Sequence, residues 1–82
     1  MEQSVNRVAL IGIIVSDGKA VEEVNAALHQ YASHIMGRMG LPLRDRGVSA
    51  ITVVLDAPQN DINALTGKLG KISGVSAKAL FR

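Results

Sequence analysis

The stretch RVALIGIIVS, residues 7–16, is apolar on both of its alternating faces. β-Branched residues dominate it, and a strand that is apolar on both sides is typical of the interior of a sheet. We therefore predict a central strand here. Its two faces consist of Arg7, Ala9, Ile11, Ile13 and Val15 on one side, and Val8, Leu10, Gly12 and Ile14 on the other.

A turn and a helix are predicted directly after this strand. Ser16, Asp17 and Gly18 break the strand pattern, and Asp17 is a residue type that caps helices. Residues 19–36 then have the apolar spacing of an amphipathic helix. The buried stripe of this helix is expected to consist of Val21, Val24, Leu28, Tyr31, Ala32 and Ile35.

Two more strands are predicted in the middle of the chain. Residues 38–44 favour a short strand, which Pro42 confines to a sheet edge because proline donates no ladder hydrogen bond. Asp45, Arg46 and Gly47 are typical of a hairpin connection. Residues 48–55, VSAITVVL, are again apolar on both faces and are expected to form a second central strand.

A second helix and a last strand complete the predicted order. Pro58 is placed near the start of the helix, with Asn60 or Asp61 as its cap, and Gly74 is placed at its end. Residues 75–81 alternate between apolar and polar and indicate a strand with one buried side. The buried stripe of the helix is expected to consist of Ile62, Leu65, Leu69 and Ile72.

The order β-α-β-β-α-β over a single domain, residues 1–82, predicts an α+β fold of ferredoxin-like, two-layer build. A four-stranded antiparallel sheet would carry both helices on one face, with the first and third strands in its centre. The other face would then expose apolar side chains, which usually marks an interface, so we expect a dimer or tetramer. These side chains are Val8, Leu10, Ile14, Val48, Ala50 and Val54.

Composition narrows the possible functions. The 82 residues include no cysteine, which excludes disulfides, thiol nucleophiles, iron–sulfur clusters and cysteine-based zinc sites. The longest apolar run, residues 8–15, is too short to span a bilayer, so we expect a cytoplasmic protein without membrane contact. A net charge of +2 supports few phosphate contacts and predicts no direct sequence-specific DNA binding. Solvated faces are favoured over an anion site for the late cations Lys68, Lys71, Lys78 and Arg82.

No catalytic residue, metal site or cofactor is predicted. Residues 66–71, TGKLGK, lack the first glycine and the hydroxyl of a phosphate loop, because Ile62 and Leu69 occupy those positions. His29 and His34 would flank the apolar stripe of the first helix on opposite sides. They therefore cannot share a metal ion within one subunit.

The candidate ligand site is the turn formed by Ser16, Asp17 and Gly18. Gly18 has no Cβ, so a ligand can approach its backbone, and the N–H groups at the start of the following helix favour an anionic group. An amino acid, which carries both charges, would suit Asp17 and these amides together. The alternative is a simple capped turn without a ligand, which is common in proteins.

The second helix carries a motif that resembles a known family. Residues 64–75, ALTGKLGKISGV, are similar to the signature ALSGKLGxIxGV of small proteins described as regulators of the iron-only hydrogenase system. Val24-Asn25 with Leu28-His29, and residues 40–44, GLPLR, resemble the same family, and the similarity extends from about residue 8 onward.

The resemblance implies an ACT-like, ferredoxin-like fold, similar to the C-terminal domain of nickel-responsive regulators, and an oligomer. The nickel-responsive relatives bind metal through several histidines and a cysteine, whereas this chain has two histidines and no cysteine. The nickel site is therefore not carried over to this chain. No ribbon-helix-helix or helix-turn-helix DNA-binding domain is recognised in the 82 residues either.

The sequence favours two functions and disfavours a third. The first is an oligomeric regulatory module that senses a small, amino-acid-like ligand at a subunit interface, without a DNA-binding domain of its own. The second is a structural partner that docks on a larger protein and binds no small molecule. The third, an enzyme, is disfavoured because no nucleophile, metal or acid–base set is present in the sequence.

Overall fold

The computed structural model describes residues 5–82 of the chain. The predicted single domain also includes residues 1–4, which lie outside the described residues. The strands are β1 (Asn6–Val15), β2 (Ile35–Leu43), β3 (Val48–Pro58) and β4 (Val75–Phe81), and the helices are α1 (Val21–His29) and α2 (Gln59–Gly70).

The four strands form one antiparallel sheet in the order β2-β3-β1-β4. The sheet has β1 and β3 in its centre, where Ile11 pairs with Val53 on one side and with Ala79 on the other. β2, which contains Pro42, lies at an edge. The ferredoxin-like α+β fold and the predicted edge position of Pro42 are therefore confirmed.

Both helices pack on the same face of the sheet and bury one side of each central strand. Ile11 and Ile13 of β1 meet Leu28 of α1 and Leu65 of α2 in one core cluster, all at most 1% exposed. Each such side chain contributes about 1.5–3 kcal/mol when it is removed from water. The core is built almost entirely from aliphatic side chains, as the composition predicts.

The first helix is shorter than predicted. It ends at His29 instead of residue 36, because the N–H groups of Tyr31 and His34 donate to acceptors three residues back, at 3.0 and 2.9 Å, and tighten the chain into 3-10 turns. Ile35 then pairs with Leu55 in the sheet rather than continuing the helical stripe. The strand pairing of Ile35 therefore decides its conformation, although the local apolar spacing favours a helix.

The second helix also has different ends from those predicted. β3 continues to Pro58, which pairs with Asn6, so the helix begins at Gln59 without a side-chain cap. The predicted cap at Asn60 or Asp61 is wrong, because both residues lie in the first turn. The helix ends at Gly70 rather than at Gly74.

The hairpin between β2 and β3 has the predicted connection but a longer first strand. β2 begins at Ile35 and contains an irregularity in register between Ile35 and Gly37. A 3-10 turn at Arg44–Arg46 leads to Gly47, whose φ of 69° lies in the left-handed region that glycine adopts without strain. The turn returns the chain into β3 beside the C-terminal end of β1.

Candidate functional site

The turn at residues 16–18 is tied to the loop between α2 and β4. The Ser16 N–H donates to the Gly74 carbonyl oxygen at 2.8 Å, and the Ser16 hydroxyl donates to the same oxygen at 3.1 Å. Ser16 is therefore a structural anchor of the turn. Gly74 approaches so closely that a Cβ added to it would lie 2.8 Å from the Cβ of Asp17.

Asp17 caps the turn that leads into α1. Its carboxylate accepts a hydrogen bond from the Lys19 N–H at 3.0 Å, and its carbonyl accepts one from the Ala20 N–H at 2.8 Å. The predicted capping role is confirmed, although Asp17 caps the 3-10 turn Gly18–Ala20 rather than α1 itself. The carboxylate is exposed, so the cap leaves one side of it open to solvent.

Gly18 lines a small pocket that the sequence did not reveal. The pairing of Val15 with Ser49 places the end of β1 beside the start of β3 and the β2–β3 connection. A cavity of about 180 Å³ lies at this corner, and Arg44 contributes to its wall. The complete lining is Val15, Gly18, Pro42, Arg44, Gly47, Val48 and Ser49.

Arg44 adds a chemistry to this corner that the turn lacks. A guanidinium group binds carboxylates through two parallel hydrogen bonds and carries a permanent positive charge. Arg44 is exposed and belongs to the segment GLPLR that carries part of the family resemblance. Its nearness to Gly18 depends on strand register, so local sequence could not have placed it there.

The sheet surface opposite the helices is apolar and uncovered in the protomer, and we call it the open face. Leu10 and Ile14 of β1 are 39% and 46% exposed, and Met39 and Leu80 at the two edges are 66% and 67% exposed. Strand pairing places them on the same side. The apolar members of the open face are Val8, Leu10, Ile14, Met39, Leu41, Leu43, Val48, Ala50, Val54 and Leu80.

The open face also has a depression at its centre. The small residues Gly12, Ala50 and Ser76 leave a shallow cavity of about 410 Å³, with Thr52 and Lys78 among its lining residues. A Cβ added to Gly12 would meet no atom within 4 Å, so the space above it is free in the protomer. The larger side chains Leu10 and Leu80, which pair with each other, lie two residues further along the strands than Gly12 and Lys78.

The late cations do not form one anion site. Lys68 and Lys71 line a groove on the helical layer, together with Glu23. The Lys68 ammonium group donates to the Gln30 side-chain oxygen. Lys78, in contrast, lies on the open face. The carbonyl of the fourth cation, Arg82, accepts a hydrogen bond from Arg7 at 3.1 Å.

The sequence predicted both histidines on the first helix, but the structure places them in separate elements. His29 ends α1, whereas His34 lies in a separate 3-10 turn. The His34 Nε2 atom is 3.4 Å from the Asp61 Oδ2 atom, which joins this turn to the start of α2. Within residues 5–82, no three histidine, aspartate or glutamate side chains are grouped as metal ligands.

A sequence model of the TM1266-like family, whose description reads "Iron-only hydrogenase system regulator, putative", matches residues 7–79. The chain belongs to this family. No curated protein matches it. The structure of the protein TM1266 from Thermotoga maritima is similar at 38% identity and a TM-score of 0.89, covering 93% of this chain and 96% of that one.

Two more distant structures share the fold of this TM1266-like chain. The ACT domain from GTP pyrophosphokinase of Chlorobium tepidum has a TM-score of 0.79 at 16% identity, covering 93% of this chain and all of that one. The C-terminal domain of the MgtC protein from Mycobacterium tuberculosis has a TM-score of 0.75 at 19% identity, covering 100% of this chain and 94% of that one. The predicted ACT-like fold is confirmed by this likeness.

One further structural property concerns membranes. Neither α1, with 9 residues, nor α2, with 12 residues, is long and apolar enough to cross a bilayer. This statement applies to the part of the TM1266-like chain that the structure describes.

Proposed function

We propose that this TM1266-like chain is a regulatory module that senses a small, amino-acid-like ligand, acts as a homo-oligomer in the cytoplasm and catalyses no reaction. The family description supports a regulatory role. The likeness to an ACT domain supports ligand sensing by analogy of fold. The apolar open face supports self-association as a dimer or tetramer.

The observation that carries this proposal is the corner where Gly18 and Arg44 line the same pocket. Gly18 leaves the backbone accessible, and Arg44 supplies a permanent positive charge for a carboxylate. The pocket of about 180 Å³ is of a size for a small ligand or for part of a larger one.

Asp17 provides the opposite charge beside this pocket. Its carboxylate already accepts the Lys19 N–H but is exposed, so a ligand ammonium group can reach it from the solvent side. A zwitterion would place its carboxylate near Arg44 and its ammonium group near Asp17. Ser16 completes the predicted site by holding the turn to Gly74 through its two hydrogen bonds.

A thermal-shift screen with amino acids, other carboxylates, nucleotides and divalent metals tests the proposal. A ligand at 100 times its Kd adds about 2.7 kcal/mol of stability. In a domain of this size, that increment raises Tm by about 10 °C or more. We expect a hit among amino acids or related carboxylates, whereas a screen without any hit in these classes would contradict ligand sensing.

Substitutions then locate the site of any such ligand. Gly18→Val and Arg44→Gln should weaken binding, while Arg46→Gln, which removes the same charge two residues away, should leave it unchanged. Asp17→Asn keeps a capping residue and removes only the charge, so it tests the ammonium contact without loss of the cap. Unchanged affinity in Gly18→Val, Arg44→Gln and Asp17→Asn would place the site elsewhere.

A structural docking partner of a larger protein is the second candidate. The open face favours it, because an apolar surface of this kind is also what a different protein would cover. The two candidates differ in solution. The docking candidate predicts a monomer without ligand hits, whereas the regulatory candidate predicts an oligomer with them.

A further inference from the structure

The depression on the open face contains a gap in one row of side chains. Gly12 pairs with Thr52 of β3 on one side and with Lys78 of β4 on the other, so these three residues form a row across the sheet. Neighbouring strands lie about 4.8 Å apart, which separates the Cα atoms of Thr52 and Lys78 by about 10 Å. Because Gly12 has no side chain, the space between them is open, and the sheet backbone forms its floor.

The next row of the sheet supplies apolar walls and a second hydroxyl group. Ile14 pairs with Ala50 on one side and with Ser76 on the other, and all three line the depression. The hydroxyl of Ser76 therefore lies on the same strand and the same side as the Lys78 ammonium group, two residues away. The depression thus has a cationic, hydrogen-bonding end over β4 and an apolar remainder over β1 and β3.

Lys78 has no acidic partner on the open face. The carboxylate of Asp56 lies in the row of Val8, where the Arg82 N–H donates to the Val8 carbonyl oxygen at 3.1 Å and places a cation in the same row. That row is four residues from the row of Lys78, which is about 13 Å along the strands. Among residues 5–82 the open face therefore carries one positive charge, that of Lys78, without a nearby negative one.

This charge becomes costly when the open face is covered. Lys78 is exposed in the protomer, so its ammonium group is hydrated there. In the proposed function a second copy covers the face, and each copy then removes one such lysine from water. A buried cation is stable only when it is paired with an anion and hydrogen-bonded. An anion bound in the depression would supply this partner.

We propose that the depression over Gly12 binds a small aliphatic monocarboxylate. Its carboxylate pairs with Lys78 and accepts a hydrogen bond from Ser76, and its aliphatic body lies over Gly12 against Ile14. This inference rests on the proposed function for the cover and adds a second class of ligand to it. An amino acid is disfavoured here, because its ammonium group would lie close to Lys78 without an acidic partner.

The depression is a different site from the corner pocket. The two cavities have no lining residue in common, and Arg44 and Gly18 belong to the corner pocket alone. Substitutions at Lys78 and at Arg44 therefore distinguish a carboxylate bound in the depression from one bound in the corner.

A titration of the full chain with hexanoate, followed by the amide NMR signals, tests the proposal. Hexanol has the same aliphatic body without the charge, and hexylamine carries the opposite charge. We expect hexanoate to shift the signals of Gly12 and Lys78 to saturation. Hexanol should bind at least about 10-fold more weakly, because it lacks the charge-assisted hydrogen bond. Hexylamine should show no saturable shift at these signals.

Two substitutions locate the ligand, each with a matched control. Lys78→Gln should raise the Kd of hexanoate at least about 10-fold, whereas Lys71→Gln, which removes the same charge from the helical layer, should leave it unchanged. Gly12→Val fills the depression and should weaken binding by at least the same factor. Gly37→Val makes the same change on β2, where Gly37 pairs with the open-face residue Val54 but does not line the depression.

Circular dichroism confirms that the variants are folded, and Gly12→Ala replaces Gly12→Val if the larger side chain prevents folding. A wild type that binds no hexanoate, or that binds hexanol equally well, would overturn the inference. So would an unchanged hexanoate affinity in folded Lys78→Gln.

The failure of the proposed function has a different signature. Hexanoate binding that is lost in Arg44→Gln but kept in Lys78→Gln would place the carboxylate in the corner pocket, which overturns this inference and supports the proposed function. Hexanoate binding that depends on Lys78, in a chain that binds no amino acid, would support this inference and overturn amino-acid sensing alone.

Discussion

Two glycines with positive φ show how single residues shape the candidate site. Gly47 and Gly74 have φ values of 69° and 81°, and only Gly74 lies against another segment, the turn at Asp17. The sequence indicated both positions as turns, since glycine follows polar turn residues or a helix in each case. It did not indicate the contact, because Asp17 and Gly74 are brought together by the pairing of β1 with β4.

We expect Gly74→Ala to lower the free energy of unfolding more than Gly47→Ala. Both substitutions force alanine into the left-handed region, at a cost of about 1–2 kcal/mol. Gly74→Ala adds the contact with Asp17, and overpacking of this kind costs about 1–3 kcal/mol more. Urea denaturation at one fixed protein concentration measures the difference in the free energy of unfolding. Equal effects of the two substitutions would contradict the prediction, because they would show that the turn at Asp17 moves to accommodate the added Cβ without cost.

At the scale of the elements, residues 66–71 contain two glycines that lower the stability of α2, and no contact inside the protomer requires them. Gly67 and Gly70 lie in α2 and are exposed, and a Cβ added to either would meet no atom within 4 Å. We expect Gly67→Ala to raise the free energy of unfolding by about 0.5–1 kcal/mol, because glycine loses more backbone entropy in a helix.

The reverse change Ala64→Gly, one turn earlier in the same helix, is the matched control and should lower stability by a similar amount. Chemical denaturation of both variants at equal protein concentration gives the comparison. A destabilised Gly67→Ala would contradict this expectation and would indicate that the helix surface is in close contact with something outside the protomer.

The elements also show which parts of the fold the sequence could predict. Strand faces are local patterns, so β1 and β3 were recognised as central and β2 as an edge. The end of α1 was not predicted correctly, because Ile35 belongs to β2. It pairs there with Leu55, which lies twenty residues away in the sequence. The turn at Ser16–Gly18 was found for the same local reason, whereas Arg44 reaches it only through the register of Val15 with Ser49.

At the scale of the whole molecule, the two layers have opposite surfaces. The helical layer is polar, with Glu23, Lys68 and Lys71 around its groove, whereas the open face is apolar apart from a few side chains. A two-layer protein of this build gains stability when the open face is covered, since apolar burial contributes about 25 cal/mol per Å². In the proposed function, a second copy provides this cover by packing its own open face against the first.

The most direct measurement of this pairing is the distance between spin labels on two copies. The chain has no cysteine, so Thr52→Cys at the centre of the open face and Gly67→Cys on the helical layer each give one labelling position. Facing sheets lie about 10 Å apart, and the helices add about 10 Å on each outer side.

We therefore predict a dipolar distance within about 20 Å between Thr52→Cys labels, and one of about 30 Å or more between Gly67→Cys labels. Circular dichroism confirms beforehand that both labelled variants are folded. A short distance at Gly67→Cys, or no dipolar coupling at Thr52→Cys, would contradict the account.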